Sequence, residues 1–165
     1  MAVPTRTHRF DQVDVFDSAP FSGNPVAVVH SANGLTAGEM LDLTRWTNLS
    51  EATFLLPPID EHADYRVRIF TPSGELPFAG HPTLGTCRAW LAAGGVPQQQ
   101  GRVMQECGVG LVPVRIDGES LAFAAPPLQR SGPVDPALLA DRLGLLGIAE
   151  SDVVDAAWID NGPGW

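Results

Sequence analysis

Apolar and polar positions alternate most clearly at Tyr65-Arg66-Val67-Arg68-Ile69, the period-two signature of a strand with one buried face. Thr71-Pro72-Ser73-Gly74 interrupts the alternation with turn chemistry. Beyond it the period changes. Gly80-His81-Pro82 opens a helix, with Pro82 in the first turn, where a missing N–H costs nothing. Leu84, Cys87, Ala89, Trp90, Leu91 and Ala92 carry the helix forward, and Gly94-Gly95 stops it. Arg88 is its only charge, so apolar side chains point in almost every direction. Such a helix is expected inside a sheet rather than on a surface.

The flanking segments supply that sheet. Strands are predicted at 9–16, 26–30, up to Leu56 before Pro57-Pro58, at 102–107, 111–116 and 121–125. Asp117-Gly118 marks a hairpin, Gly108-Val109-Gly110 a bend, and Pro113 an edge position or a bulge. Thr36-Ala37-Gly38-Glu39 is a capping box, with Leu35 and Met40 placed to form the hydrophobic staple, and this second helix should end near Thr47 or Asn48. A third helix is expected from Asp135-Pro136 through Leu145, and a last strand over 152–158, before the turn-rich stretch 161–165. Pro126-Pro127 is the expected domain boundary, giving a first domain at 1–127 and the opening of a second at 128–165. The fold class is therefore α+β.

Composition narrows the chemistry. A chain of 165 residues with 44% hydrophobic content can bury a sizeable core. No apolar run approaches the roughly 18 residues of a membrane span, and residues 1–8 lack the apolar core of a signal peptide, so no membrane partner and a cytoplasmic location are expected. The net charge of −9 argues against nucleic acid as a partner. All ten basic residues are arginine, which removes phosphate-loop lysines, Schiff bases and amine nucleophiles. His8, His30, His62, His81, Cys87 and Cys107 show no metal-ligand spacing, so no metal site is expected.

Three places remain as candidate chemistry. The helix opened by Gly80 and His81 would aim free N–H groups and a positive dipole end outward, a ready seat for a small anion. His81 at that mouth is either a ligand contact or a loop histidine capping its own helix. Asn24 either bonds a ligand or braces its own turn, and Glu51 at a helix-to-strand junction is, read locally, a solvated residue.

The stretch Glu75-Leu-Pro-Phe-Ala-Gly-His-Pro-Thr-Leu-Gly85 resembles the signature of the PhzF-like family, the phenazine-biosynthesis isomerase group. Three further stretches match in the family's order: 21–28 (Phe-Ser-Gly-Asn-Pro-Val-Ala-Val), 48–54 (Asn-Leu-Ser-Glu-Ala-Thr-Phe) and 105–114 (Gln-Glu-Cys-Gly-Val-Gly-Leu-Val-Pro-Val). The resemblance implies a diaminopimelate epimerase-like fold, a mostly antiparallel sheet wrapped around a central apolar helix, of which the family has two copies. It places Glu51 on the family's catalytic acid/base. It makes His81, Gly80, Ser50 and Asn24 substrate contacts. Racemases of this fold use two cysteines, but Gly80-His81 stands where the epimerase has the first, which disfavours thiol chemistry here.

The implied reaction is cofactor-independent isomerisation of a small anionic acid, with trans-2,3-dihydro-3-hydroxyanthranilate as the type substrate. The chain matches the family's N-terminal half and lacks the second-half Asp-Pro-x-Thr-Gly-Ser motif. A homodimer is the assembly expected to complete the cleft. The alternative is a non-catalytic binding remnant of the family.

Overall fold

The computed structural model describes residues 7–162. The expected turn at 161–165 therefore falls partly outside the described residues. The chain forms two compact units that divide between Ala125 and Pro126.

Among the described residues the first unit holds an eight-stranded sheet and two helices: β1 (Phe10–Val15), β2 (Asn24–Val29), α1 (Ala37–Thr47), β3 (Ala52–Leu56), β4 (Tyr65–Thr71), β5 (Gly74–Leu76), α2 (Gly80–Ala92), β6 (Arg102–Cys107), β7 (Gly110–Asp117) and β8 (Ser120–Phe123). The strand order is β1-β2-β3-β4-β6-β7-β8, with β5 paired to β4. Only β2 with β3 and β4 with β6 run parallel. The sheet is mixed but mostly antiparallel. Helix α2 packs against both β1 and β8 at the two ends of this order, which requires the sheet to curl around it. This is the α+β arrangement expected from the apolar helix.

Alternation along β2 shows how both sheet faces become buried. Val26 and Val28 join Val15, Leu55, Val67 and Ile69 against Cys87 and Ala89 of α2. Ala27 and Val29 turn the other way, joining Phe54 and Phe70 beneath Met40 of α1. Each fully buried side chain of this size contributes about 1.5–3 kcal/mol. Gly85 sets how closely α2 approaches the sheet: a Cβ there would lie 2.3 Å from Val26 Cγ1.

Polar groups brace the same helix. Thr86 Oγ1 donates to Thr53 Oγ1 at 2.8 Å, and Thr53 donates onward to the Ala27 carbonyl at 3.2 Å. Gln105 joins Thr83 at 2.9 Å to the Tyr65 hydroxyl at 3.1 Å. All five side chains are buried, and each hydroxyl or amide in this layer fixes the helix register against a particular strand.

Local signals behave as the sequence predicts at several ends. Thr36 and Glu39 form both halves of the capping box, and Asn48 ends α1 in the left-handed region at φ 58°. Gly94 follows α2 at φ 93°, a conformation glycine takes without steric cost. Other expectations need correction. β7 is an interior strand, so Pro113 is not on an edge; it pairs with Met104 of β6 and lies just beyond the first β8 pairing at Val114.

The second unit has β9 (Arg130–Pro133), α3 (Pro136–Leu146), a short 3-10 turn (Glu150–Asp152) and β10 (Ala157–Asp160), with β9 and β10 antiparallel. Asp135 Oδ1 accepts from the Ala137 and Leu138 N–H groups and so caps α3. The expected strand at 152–158 begins later, at Ala157. Residues Glu150–Asp152 form a 3-10 turn, and Asp155 Oδ1 accepts from the Ala156 N–H at 2.8 Å, which delays the extended run. Leu145, Leu146, Val154 and Ile159 stay exposed in this unit, whereas Leu143 is buried. No helix among the described residues is long and apolar enough to cross a membrane.

Candidate functional site

The parallel pairing of β2 with β3 sets their N-terminal ends side by side, with the Ala27 N–H donating to the Glu51 carbonyl at 3.4 Å. Asn24 begins β2, and Glu51 immediately precedes β3. Helix α2 crosses the inner face of these strands with its first turn at the same end. Three segments far apart in sequence thus deliver Asn24, Glu51 and His81 to one place.

His81 Nε2 faces Glu51 Oε2 at 3.3 Å, with side-chain exposures of 11% and 17%. The separation is that of an ion pair, yet the angles are not those of a hydrogen bond. Neither atom has a hydrogen-bond partner among the described residues, although both are shielded from water. Native interiors rarely leave such groups unpaired, and those that are left cluster where a ligand or reaction uses them. On its other side His81 Nδ1 lies 3.2 Å from Asn24 Nδ2.

Burial pushes the His81 pKa down, and the opposing pull of the Glu51 carboxylate does not cancel it. His81 is therefore neutral near pH 7. A neutral imidazole beside a carboxylate can donate a hydrogen bond without trapping that carboxylate in a strong ion pair. Glu51 keeps an oxygen available.

The remaining candidates differ in placement. Gly80 starts α2, and a Cβ there would lie 3.0 Å from the tip of the Phe123 ring, so glycine permits the close approach of the helix start to β8. The preceding Ala79 provides no side-chain cap, and the first helical bond is from the Thr83 N–H to the Ala79 carbonyl. The Gly80 and His81 N–H groups thus lie ahead of the helical ladder. Ser50 is exposed and makes no hydrogen bond among the described residues. It neighbours Glu51 in sequence but is not brought onto His81. Asn24 does not brace its own turn. Its amide is committed to His81, a pairing 57 residues distant that no local pattern announces.

Burial disfavours the thiolate at both Cys87 and Cys107. Burial pushes Cys87 up to about 12 and raises Cys107 as well. Cys87 is part of the core under α2, as its place in the helix predicted. Among the described residues no group of three or more His, Cys, Asp or Glu side chains is placed to hold a metal ion. The threonine layer behind the site escaped the sequence reading. Its signal was present in Thr53, Thr83 and Thr86, polar residues at positions where the apolar pattern called for core.

Residues 13–125 match the model of the family described as Phenazine biosynthesis-like protein. The chain is 42% identical to "Antisense-enhancing sequence 1" of Schizosaccharomyces pombe, covering 96% of this chain and 56% of that protein. It is 40% identical to the trans-2,3-dihydro-3-hydroxyanthranilate isomerase of Pseudomonas aeruginosa, covering 85% of this chain and 50% of the enzyme. Among solved structures, one described as a predicted epimerase from Pseudomonas aeruginosa superposes with a TM-score of 0.76 at 27% identity, covering 93% of this chain and 56% of the other. The chain spans about half the length of the curated relatives it matches. It belongs to the Phenazine biosynthesis-like family.

Proposed function

We propose that this member of the Phenazine biosynthesis-like family is an isomerase that moves a proton within a small cyclic or amino carboxylic acid, with Glu51 as the acid/base. The observation that carries the reading is the Glu51–His81 pair at 3.3 Å, whose facing atoms are shielded and have no hydrogen-bond partner among the described residues. Glu51 takes a proton from a C–H bond, and the freed electron pair moves into the adjoining conjugated system. The protonated carboxyl then returns the proton to another carbon. Substrate and product are isomers, so the balance calls for no redox partner or cofactor. His81 donates toward the reacting region, and the N–H groups of Gly80 and His81 receive the substrate carboxylate at the helix entrance. Ser50, at the rim beside Glu51, is a further substrate contact.

Trans-2,3-dihydro-3-hydroxyanthranilate, named for a 40% identical relative, is the first substrate to try. The opposing wall of the cleft comes from a second copy in a homodimer, which light scattering across a concentration series tests. Incubation of that acid in deuterium oxide with wild type should give isomerised, deuterium-bearing product. The Glu51→Gln protein should give none. Equal incorporation by both proteins would remove Glu51 from the chemistry. A second reading, a non-catalytic family member, has one observation in its favour: the Schizosaccharomyces pombe relative carries a name that states no reaction. A dimer that neither converts the acid nor exchanges its hydrogens would favour that reading.

A further inference from the structure

We infer that Asn24 is a positioning residue that holds His81 in its Nε2–H tautomer, so that the imidazole turns an N–H rather than a lone pair toward Glu51 and Glu51 begins the reaction as the carboxylate base. The inference rests on the proposed role of Glu51 and deepens it. Its ground is the chemistry of three facing atoms. The amide Nδ2 of Asn24 can only donate, and it lies 3.2 Å from His81 Nδ1. Nδ1 must therefore accept, and a neutral imidazole then carries its one proton on Nε2. Nε2 is the atom that faces Glu51 Oε2 at 3.3 Å. Glu51 is also the charged group that acts on His81 across the site, while burial keeps the ring neutral.

The opposite arrangement exposes why an amide is useful at position 24. Turned over, Asn24 would accept from Nδ1–H and leave the Nε2 lone pair facing a carboxylate oxygen. Two acceptors at that distance repel unless Glu51 holds a proton. The two faces of the Asn24 amide thus match the two protonation states of Glu51, before and after proton abstraction. Aspartate could only accept and leucine could do neither. The fold supports this reading, because Asn24 lies in register with Val15 on the face of β2 turned toward α2.

Nitrogen-15 NMR of the histidine rings in the intact protein tests the inference, with His81 assigned by its loss in His81→Gln. At neutral pH the wild type should show an unprotonated Nδ1 and a protonated Nε2. In Asn24→Asp, which is isosteric, the ring lies between two carboxylates. Its titration midpoint should rise by about one unit or more, a tenfold gain in proton affinity. A protonated, neutral-ring Nδ1 in wild type would overturn the inference, and so would an unchanged midpoint in folded Asn24→Asp. The wild-type spectrum decides the tautomer even where a variant fails to fold. The readout is also independent of turnover. The expected tautomer in a protein without isomerase activity would sink the proposed function alone, and the wrong tautomer in an active protein would sink only the role of Asn24.

Discussion

At one end of β2, His30 Nε2 meets Asp11 Oδ2 at 2.7 Å, and Arg9 closes on the same oxygen at 3.2 Å. At the other end, His81 Nε2 faces Glu51 Oε2 at 3.3 Å without an aligned bond. Asn24 opens β2 and His30 directly follows its last residue, six positions on, so the two pairs are separated by roughly 20 Å of extended chain. Each pair sets a histidine against a carboxylate, and the consequences are opposite. Asp11 is desolvated, but its hydrogen bonds from His30 and Arg9 outweigh that and hold its pKa below the usual carboxylate value. That pair is satisfied and ties β1 to the end of β2. The pair at the helix entrance is shielded and left unsatisfied, the condition of a group kept ready for a ligand.

The comparison breaks most sharply in activity. Glu51→Gln should lower solvent-hydrogen exchange into substrate by about 10²–10⁴-fold, the usual contribution of a positioned acid/base. Asp11→Asn should leave that rate within about twofold, since it touches no part of the site. The next largest effect is on the scaffold. Gly85→Ala would set a methyl 2.3 Å from Val26 Cγ1 and should cost about 1–3 kcal/mol in urea unfolding. It should also loosen the placement of His81, one turn away on the same helix.

Asp11→Asn should destabilise by about 1 kcal/mol, the net value of a satisfied hydrogen bond. Acid sharpens the contrast further. His81 has a lowered folded pKa, so the unfolded chain binds the proton more readily. Its contribution to stability is complete above the unfolded value of 6.5 and is lost as the pH falls below it. Asp11, lowered from 3.8, contributes stability that is lost only at more acid pH, as the pH falls through its folded pKa. A urea series across pH should show the first loss vanish in His81→Gln and the second vanish in Asp11→Asn.

Much of this was legible where the signal is local. The capping box at Thr36 and Glu39, the apolar run of α2 and the glycine after it each state their structure within a few residues. The convergence of Glu51 and His81 was legible through motif resemblance, because no local rule joins residues thirty positions apart. What escaped is either short or long-range. β9 is Arg-Ser-Gly-Pro with every residue exposed, so it offers no alternation to read. β5 is three residues at the end of a turn. The His30–Asp11 pair and the Thr53–Thr86 brace depend on strand register and helix placement, which side-chain periodicity does not specify. Asn24 reads from the sequence as either a ligand contact or a brace for its own turn, whereas the partner its amide meets in the fold is the His81 imidazole.

Equilibrium urea unfolding of Glu51→Gln beside wild type at neutral pH tests most directly whether the helix-entrance pair is kept for function rather than for stability. Removing a shielded carboxylate that lacks a hydrogen-bond partner should leave stability within about 0.5 kcal/mol of wild type or raise it. A loss of more than about 1 kcal/mol, matching that of Asp11→Asn, would make Glu51–His81 a second structural pair and contradict the account.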